Sequence, residues 1–222
     1  MNILLTEYSN LFTRDWYLPT GDLRDGAASY ERANIIVVTK CPDEISVDEM
    51  DAIRKEIDPL PQHELFFASI QYGEPYHITR KHTVHMDTHM EVLLVSGIAN
   101  PGPLKKYLQE NTKVYYEMLF NDHHIFTIDD WKEIEKRFHS IQASPDEPVG
   151  RAPSKIILTT EKDAVRLIKF EQELKDLPVF VVPIEMKFLN GEEKRFDDLI
   201  IKFIKEFHKI ANGKETREKS KA

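Results

Sequence analysis

The chain has 222 residues, 41% of them apolar, and a formal net charge of −8. The apolar fraction supports a packed core, the length suits one large domain or two small ones, and the acidic balance argues against general nucleic-acid binding. Cys41 is the only cysteine, so an internal disulfide is excluded and a reducing compartment is expected; no apolar run is long enough to span a bilayer, and no secretory signal pattern is present.

Met1 leads straight into Asn2-Ile3-Leu4-Leu5-Thr6, which reads as a strand already in progress. That start predicts the C-terminal part of a longer protein. Leu11 to Gly26 follows, rich in turn formers and carrying the adjacent pairs Arg14-Asp15 and Arg24-Asp25. An arginine fork suits phosphate, and two surface ion pairs would account for the same residues. The β-branched run Asn34 to Thr39 predicts a buried parallel strand. Ser46, with Glu49 three residues on, predicts a capping box and a helix to about Ile57, ended by Pro59 and Pro61. Leu65 to Ile70 is the next strand, so residues 1–72 read as a βαβ-like part with a parallel sheet.

Residues 73–90 read as a solvated linker or short β-ribbon carrying His77, His82, His85 and His89. Zinc is one reading of four histidines, but no cysteine lies nearby to complete a structural site, and no metal site is assigned. From Glu91 onward strands and helices alternate: strands 91–98, 114–119, 155–160 and 178–184, helices 101–110, 127–139, 161–169 and 196–209. Such a series predicts a doubly wound, Rossmann-like parallel sheet over residues 91–210. Residues 140–154 read as a surface loop, and residues 211–222 as a disordered, charged tail.

Three polar turns follow apolar strands in this second part: Ser96-Gly97-Ile98-Ala99-Asn100-Pro101, Asn121-Asp122-His123-His124, and Thr159-Thr160-Glu161-Lys162-Asp163. On one parallel sheet they would converge at one edge, where open α/β folds bind ligands. His123 and His124 cannot both point the same way in an extended segment. One can move a proton, with Asp122 fixing its tautomer, while the other packs. Helix capping would equally explain the turn. Thr160 with Asp163 matches a capping box, yet Lys162 in a helix first turn suits an anionic ligand better than the helix itself. Gly97 permits close backbone approach. The sequence contains no Gly-x-x-x-x-Gly-Lys-Ser/Thr phosphate loop, so a nucleotide's phosphates would be cradled outside it.

In order and spacing these segments resemble the tetraacyldisaccharide 4'-kinase family, in its Bacteroidetes-like branch. The resemblance rests on Tyr17 to Asp25, Ala33 to Thr39, Ser96 to Pro101, Asp122 to Thr127 and Leu158 to Val165. It implies the end of a P-loop-type parallel-sheet domain, a linker and a smaller Rossmann-like domain. The implied activity is transfer of the ATP γ-phosphate to the 4'-hydroxyl of a tetraacyldisaccharide 1-phosphate, the lipid A precursor, with ATP and Mg2+ bound mainly by upstream sequence. It implies His123 and Asp122 as catalytic residues, Arg24 and Asp25 facing the acceptor, and Gly97, Asn100, Thr160, Glu161, Lys162 and Asp163 lining the nucleotide cleft. The family has Glu at the position of Asp25, a longer reach for the same charge. A peripheral position on the cytoplasmic face of the inner membrane is implied, through an upstream segment. The alternative from the residues alone is a non-catalytic Rossmann-like binding module.

Overall fold

The computed structural model describes residues 1–21, 23–141 and 155–219, with side chains through residue 208. The loop expected over residues 140–154 lies almost wholly outside the described residues. The chain divides into two compact units, residues 1–71 with 186–222, and residues 72–185.

The first unit is built on three parallel strands, β1 (Ile3–Glu7), β2 (Ile35–Thr39) and β3 (Glu64–Tyr72). Ile35 lies opposite Ile3 on one side and Glu64 on the other. Helix α1 (Val47–Ile57) makes the crossover between β2 and β3. Its Met50, Ile53 and Ile57 share one helical face and meet Ile36, Val38, Leu65 and Phe67, with Leu11 and Phe12 from the loop after β1. Ser46 Oγ accepts from the Glu49 N–H at 3.2 Å, but the Glu49 carboxylate accepts from the Tyr8 hydroxyl instead of reaching back. The predicted capping box is therefore half formed. The Arg-Asp neighbours also find partners at a distance: Arg14 forks onto Glu56, and Asp25 takes Arg32.

The second unit opens with β4 (Tyr76–His77), β5 (Glu91–Ser96), α2 (Gly102–Asn111), β6 (Val114–Leu119) and α3 (Ile128–Ser140). It continues with β7 (Lys155–Thr160), α4 (Glu161–Leu167), a 3-10 turn, α5 (Glu171–Leu174) and β8 (Val179–Val182). The sheet order is β4-β8-β7-β5-β6, parallel except for β4, which runs antiparallel to β8. Side chains alternate across it. Leu93, Val95, Ile157, Val179 and Val181 face Trp131, Ile134, Phe138, Leu167 and Leu174 of the α3–α5 layer. Val92, Leu94, Ile156, Leu158 and Phe180 face Leu104 and Leu108 of α2.

The segment expected to be a linker is part of this core. Val84, Met86 and Met90 are buried on the α2 side of the sheet, so an irregular stretch covers that face beside α2. Its histidines give the stretch a polar pattern, but Val84, Met86 and Met90 beside them do the packing. His77 is itself buried, its Nε2 against the Leu177 carbonyl at 3.1 Å and its ring T-shaped to Phe180. His85 and His89 instead lie at the surface beside Glu74 and Asp87.

The final helix was expected to belong to the second sheet. The chain instead returns through β9 (Ile184–Phe188), next to β3 in the first sheet, and α6 (Glu193–Lys219). Phe188, Phe196, Leu199 and Ile200 cover Ile35, Val37, Phe66 and Ala68. The face of β2 left open by α1 needs this cover, which is why a helix so late in the sequence joins the first unit. Its backbone also runs helical through Lys219, where a disordered tail was expected from residue 211; residues 220–222 lie outside the described residues.

Two outcomes follow for stability. Met86→Ala should destabilise the chain by about 2–5 kcal/mol, the cost of emptying a buried methionine site; urea unfolding near the value for a surface change would return this stretch to linker status. Burial lowers the His77 pKa, with the Leu177 carbonyl opposing that effect. The folded state thus favours the neutral ring, and this contribution is whole above the ordinary histidine value and is lost as pH falls below it. Stability measured from pH 7 to 5 should fall less steeply in His77→Gln than in the native chain.

Candidate functional site

The chain leaves β5 to form β6 on one side and later β7 on the other, so the strand order reverses between β5 and β7. The carboxyl ends of those two strands flank a topological switch point, where ligands bind in such sheets. Ser96 ends β5 with Gly97 directly after it, and Thr160 ends β7 and caps α4.

Asp163 binds these ends together. It is fully buried, and its Oδ2 accepts from Thr160 Oγ1 at 2.9 Å, Gly97 N–H at 3.0 Å and Ser96 Oγ at 3.2 Å. Thr160 Oγ1 in turn accepts from the Asp163 N–H at 3.2 Å. The Thr160 half of the expected capping box forms, while the Asp163 carboxylate, instead of reaching back to the Thr160 N–H, clasps the neighbouring strand. Among the described residues Oδ1 has no hydrogen-bond partner, and the Arg166 guanidinium lies 3.6 Å away.

The histidine turn lies over Gly97. A Cβ there would come within 3.1 Å of the Asn121 carbonyl and 3.4 Å of the His124 Cβ. Glycine lets the strand end pass beneath the turn, and its carbonyl accepts from the His123 N–H at 3.2 Å. His123 adopts a left-handed backbone conformation, φ +63°, in which histidine is enriched among non-glycine residues. That geometry separates the two histidines. The His124 ring stacks on Phe120 and bonds Asp130 Oδ2 at 3.0 Å, while the His123 side chain is 69% exposed.

Asp122 is shared between two cationic or donor groups. His123 Nδ1 lies 2.7 Å from Oδ2, and Lys162 Nζ donates to Oδ1 at 2.9 Å. The Lys162 hydrogen bond, seconded by His123, holds the Asp122 pKa below the usual carboxylate range against partial desolvation. An ionised Asp122 accepts from Nδ1–H, which leaves Nε2 of the neutral ring as a bare acceptor. The cation whose place in a helix first turn suggested an anionic ligand is therefore bonded to a carboxylate.

Capping of α3 comes from Thr127 and Asp130, a reciprocal box absent from the sequence reading although Thr127-Ile128-Asp129-Asp130 carries its pattern. Burial raises the Asp130 pKa, and the Thr127 N–H, the His124 ring and the Thr127 hydroxyl outweigh it, so the net direction is down. Ser96 opens the first of the three polar turns but is not among the residues expected at the site; its place at a strand end is the signal that marks it. Asn100 is exposed and accepts from the Gly102 N–H at 3.1 Å, and exposed Glu161 accepts from the Ile184 N–H at 3.4 Å.

Of the remaining predicted residues, Arg24 and Asp25 lie in the first unit, both exposed. The Ser29 hydroxyl, the Gly26 N–H and Arg32 hold the Asp25 pKa down. Among the described residues no group of three or more His, Cys, Asp or Glu converges as a metal cage.

The family model for tetraacyldisaccharide-1-P 4'-kinase matches residues 1–205. The tetraacyldisaccharide 4'-kinase of Bacteroides thetaiotaomicron is 33% identical over 220 residues, covering 93% of this chain and 55% of that protein. The same enzyme of Parabacteroides distasonis is 35% identical over 215 residues, covering 92% and 55%. This chain thus spans about half the length of the curated relatives it matches. LpxK from Aquifex aeolicus, crystallised in complex with ATP, shares the fold with a TM-score of 0.53 at 22% identity, covering 91% of this chain and 52% of that one. The match over nearly the whole sequence assigns the chain to the tetraacyldisaccharide-1-P 4'-kinase family.

Proposed function

We propose that this chain works as part of an ATP-dependent lipid kinase acting on tetraacyldisaccharide 1-phosphate in lipid A biosynthesis. The 4'-hydroxyl oxygen would bond to the γ-phosphorus as the bond to the β–γ bridging oxygen breaks. ADP departs, and the hydroxyl proton leaves to a base. One observation carries the reading for these residues: an Asp122–His123 pair with Nδ1 engaged and Nε2 bare, at the carboxyl edge of the sheet, in a chain that matches the kinase family over residues 1–205.

His123 would accept the proton at Nε2, directly from the hydroxyl or relayed through an intervening carboxylate. Asp122 fixes the tautomer and balances the imidazolium that forms. Phosphoryl transfer is mostly positioning and charge balance. Arg24 and Asp25 are proposed to face the acceptor lipid, Arg24 as the fork for its phosphate. Asn100 and Glu161 are proposed to face the nucleotide side, and Lys162 to line the same cleft while held by Asp122. Gly97, Thr160 and Asp163 are proposed to serve that side as its frame, since their polar groups are turned inward. Magnesium bound with the nucleotide would neutralise charge on its phosphates; among the described residues no group of three or more His, Cys, Asp or Glu converges to hold it. Among the described residues no helix is long and apolar enough to cross a membrane. A peripheral position on the cytoplasmic face of the inner membrane is proposed from the acylated acceptor.

The test is transfer of labelled γ-phosphate from Mg-ATP to tetraacyldisaccharide 1-phosphate by a family-length protein containing this chain. His123→Ala should lower its kcat by about two to four orders of magnitude; near-native turnover would sink the assignment. The 222 residues alone should not turn over, and full activity there would mean the nucleotide is bound differently. His123→Gly relieves a left-handed residue at some entropic cost, so its unfolding free energy should stay within about 1 kcal/mol of native while activity is lost.

A further inference from the structure

We propose that Lys162 and Asp163, the second and third residues of α4, position His123 for proton transfer, so that Lys162 acts on the reaction through Asp122 rather than by binding the nucleotide. Two separate paths lead from this helix turn to the same histidine. The first runs through side chains: Lys162 Nζ to Asp122 Oδ1 at 2.9 Å, then Asp122 Oδ2 to His123 Nδ1 at 2.7 Å. The second runs through backbone: Asp163 Oδ2 from Gly97 N–H at 3.0 Å, then Gly97 C=O from His123 N–H at 3.2 Å. One path holds the ring, and the other holds the left-handed backbone that turns the ring outward.

The two paths have different physical character. Asp163 is fully buried and anchored by three donors, so the backbone path is rigid. Asp122 and Lys162 are partly exposed, with side chains 36% and 42% accessible. An exposed ion pair of this kind contributes little to stability. Its effect is on orientation: with Oδ1 tied to Lys162, the carboxylate presents Oδ2 to Nδ1 and keeps the ring's proton there. Without Lys162, Asp122 is free to rotate, and the neutral ring moves toward the Nε2–H form that free histidine prefers. That form has no lone pair on the outward nitrogen and cannot accept a proton there.

The role in the reaction rests on the kinase reading above; the geometry does not, and the test separates them. In the chain labelled with 15N-histidine, long-range proton–nitrogen spectra should show neutral His123 protonated at Nδ1. Lys162→Met should shift it toward Nε2–H with little change in thermal unfolding, and Lys162→Arg, which still donates to Asp122, should restore the native tautomer. In Asp163→Asn, which weakens the acceptor at Gly97, the His123 amide should exchange faster with solvent. In a family-length protein, Lys162→Met should lower kcat about 10- to 100-fold, the scale for partners that fix a ring's tautomer in metal sites. KM for ATP should stay within about twofold, and Lys162→Arg should recover turnover. A native tautomer in Lys162→Met, or a raised KM for ATP with unchanged kcat, would overturn the proposal. If the unmutated family-length protein transferred no phosphate, the kinase reading would fail, while the spectra would still decide whether Lys162 holds the ring.

Discussion

Oδ2 of Asp163 accepts from groups at the ends of two adjacent strands, and the candidate site depends on that arrangement. A buried carboxylate is costly unless its oxygens meet donors, and here Ser96, Gly97 and Thr160 supply them. The result fixes the carboxyl ends of β5 and β7 at the point where the strand order reverses. The histidine turn then rests on Gly97, because a glycine there leaves room for Asn121 and His124 above it.

From that base, each histidine receives a different task. The left-handed backbone of His123 sends its ring to solvent, whereas His124 is drawn onto Phe120 and Phe126 and tied to Asp130. Asp130 also caps α3 with Thr127, so one carboxylate joins the packed histidine to the start of the next helix. Among the described residues the exposed ring has Asp122 as its one polar side-chain partner, and Asp122 is shared with Lys162. A rigid frame with one accessible imidazole is what positioning chemistry needs.

The unit boundaries follow from unmet apolar surface. A parallel sheet is stable when both faces are covered. In the second unit α2 and the stretch holding Val84, Met86 and Met90 cover one face. In the first, α1 covers one face of β2, and the other waits for α6. Histidine content hid the first of these roles, and sequence distance hid the second. The alternating strands and helices were legible because period-two and helical apolar patterns are local properties of the chain; β6 and β7 fall on their expected residues.

The sequence by itself determined the βα alternation, the polar turns at the strand ends and the family, because each is carried by residue types at fixed spacing. It also marked Asp122, His123 and Lys162 as chemically unusual for their places. Tertiary structure alone decided which histidine faces solvent, since that depends on a backbone dihedral and on Phe120. It alone paired Lys162 with Asp122, 40 residues away, and turned Asp163 from a cap into a clasp between strands. Partners that close across a sheet have no local pattern, so only the folded register of β5, β6 and β7 could reveal them.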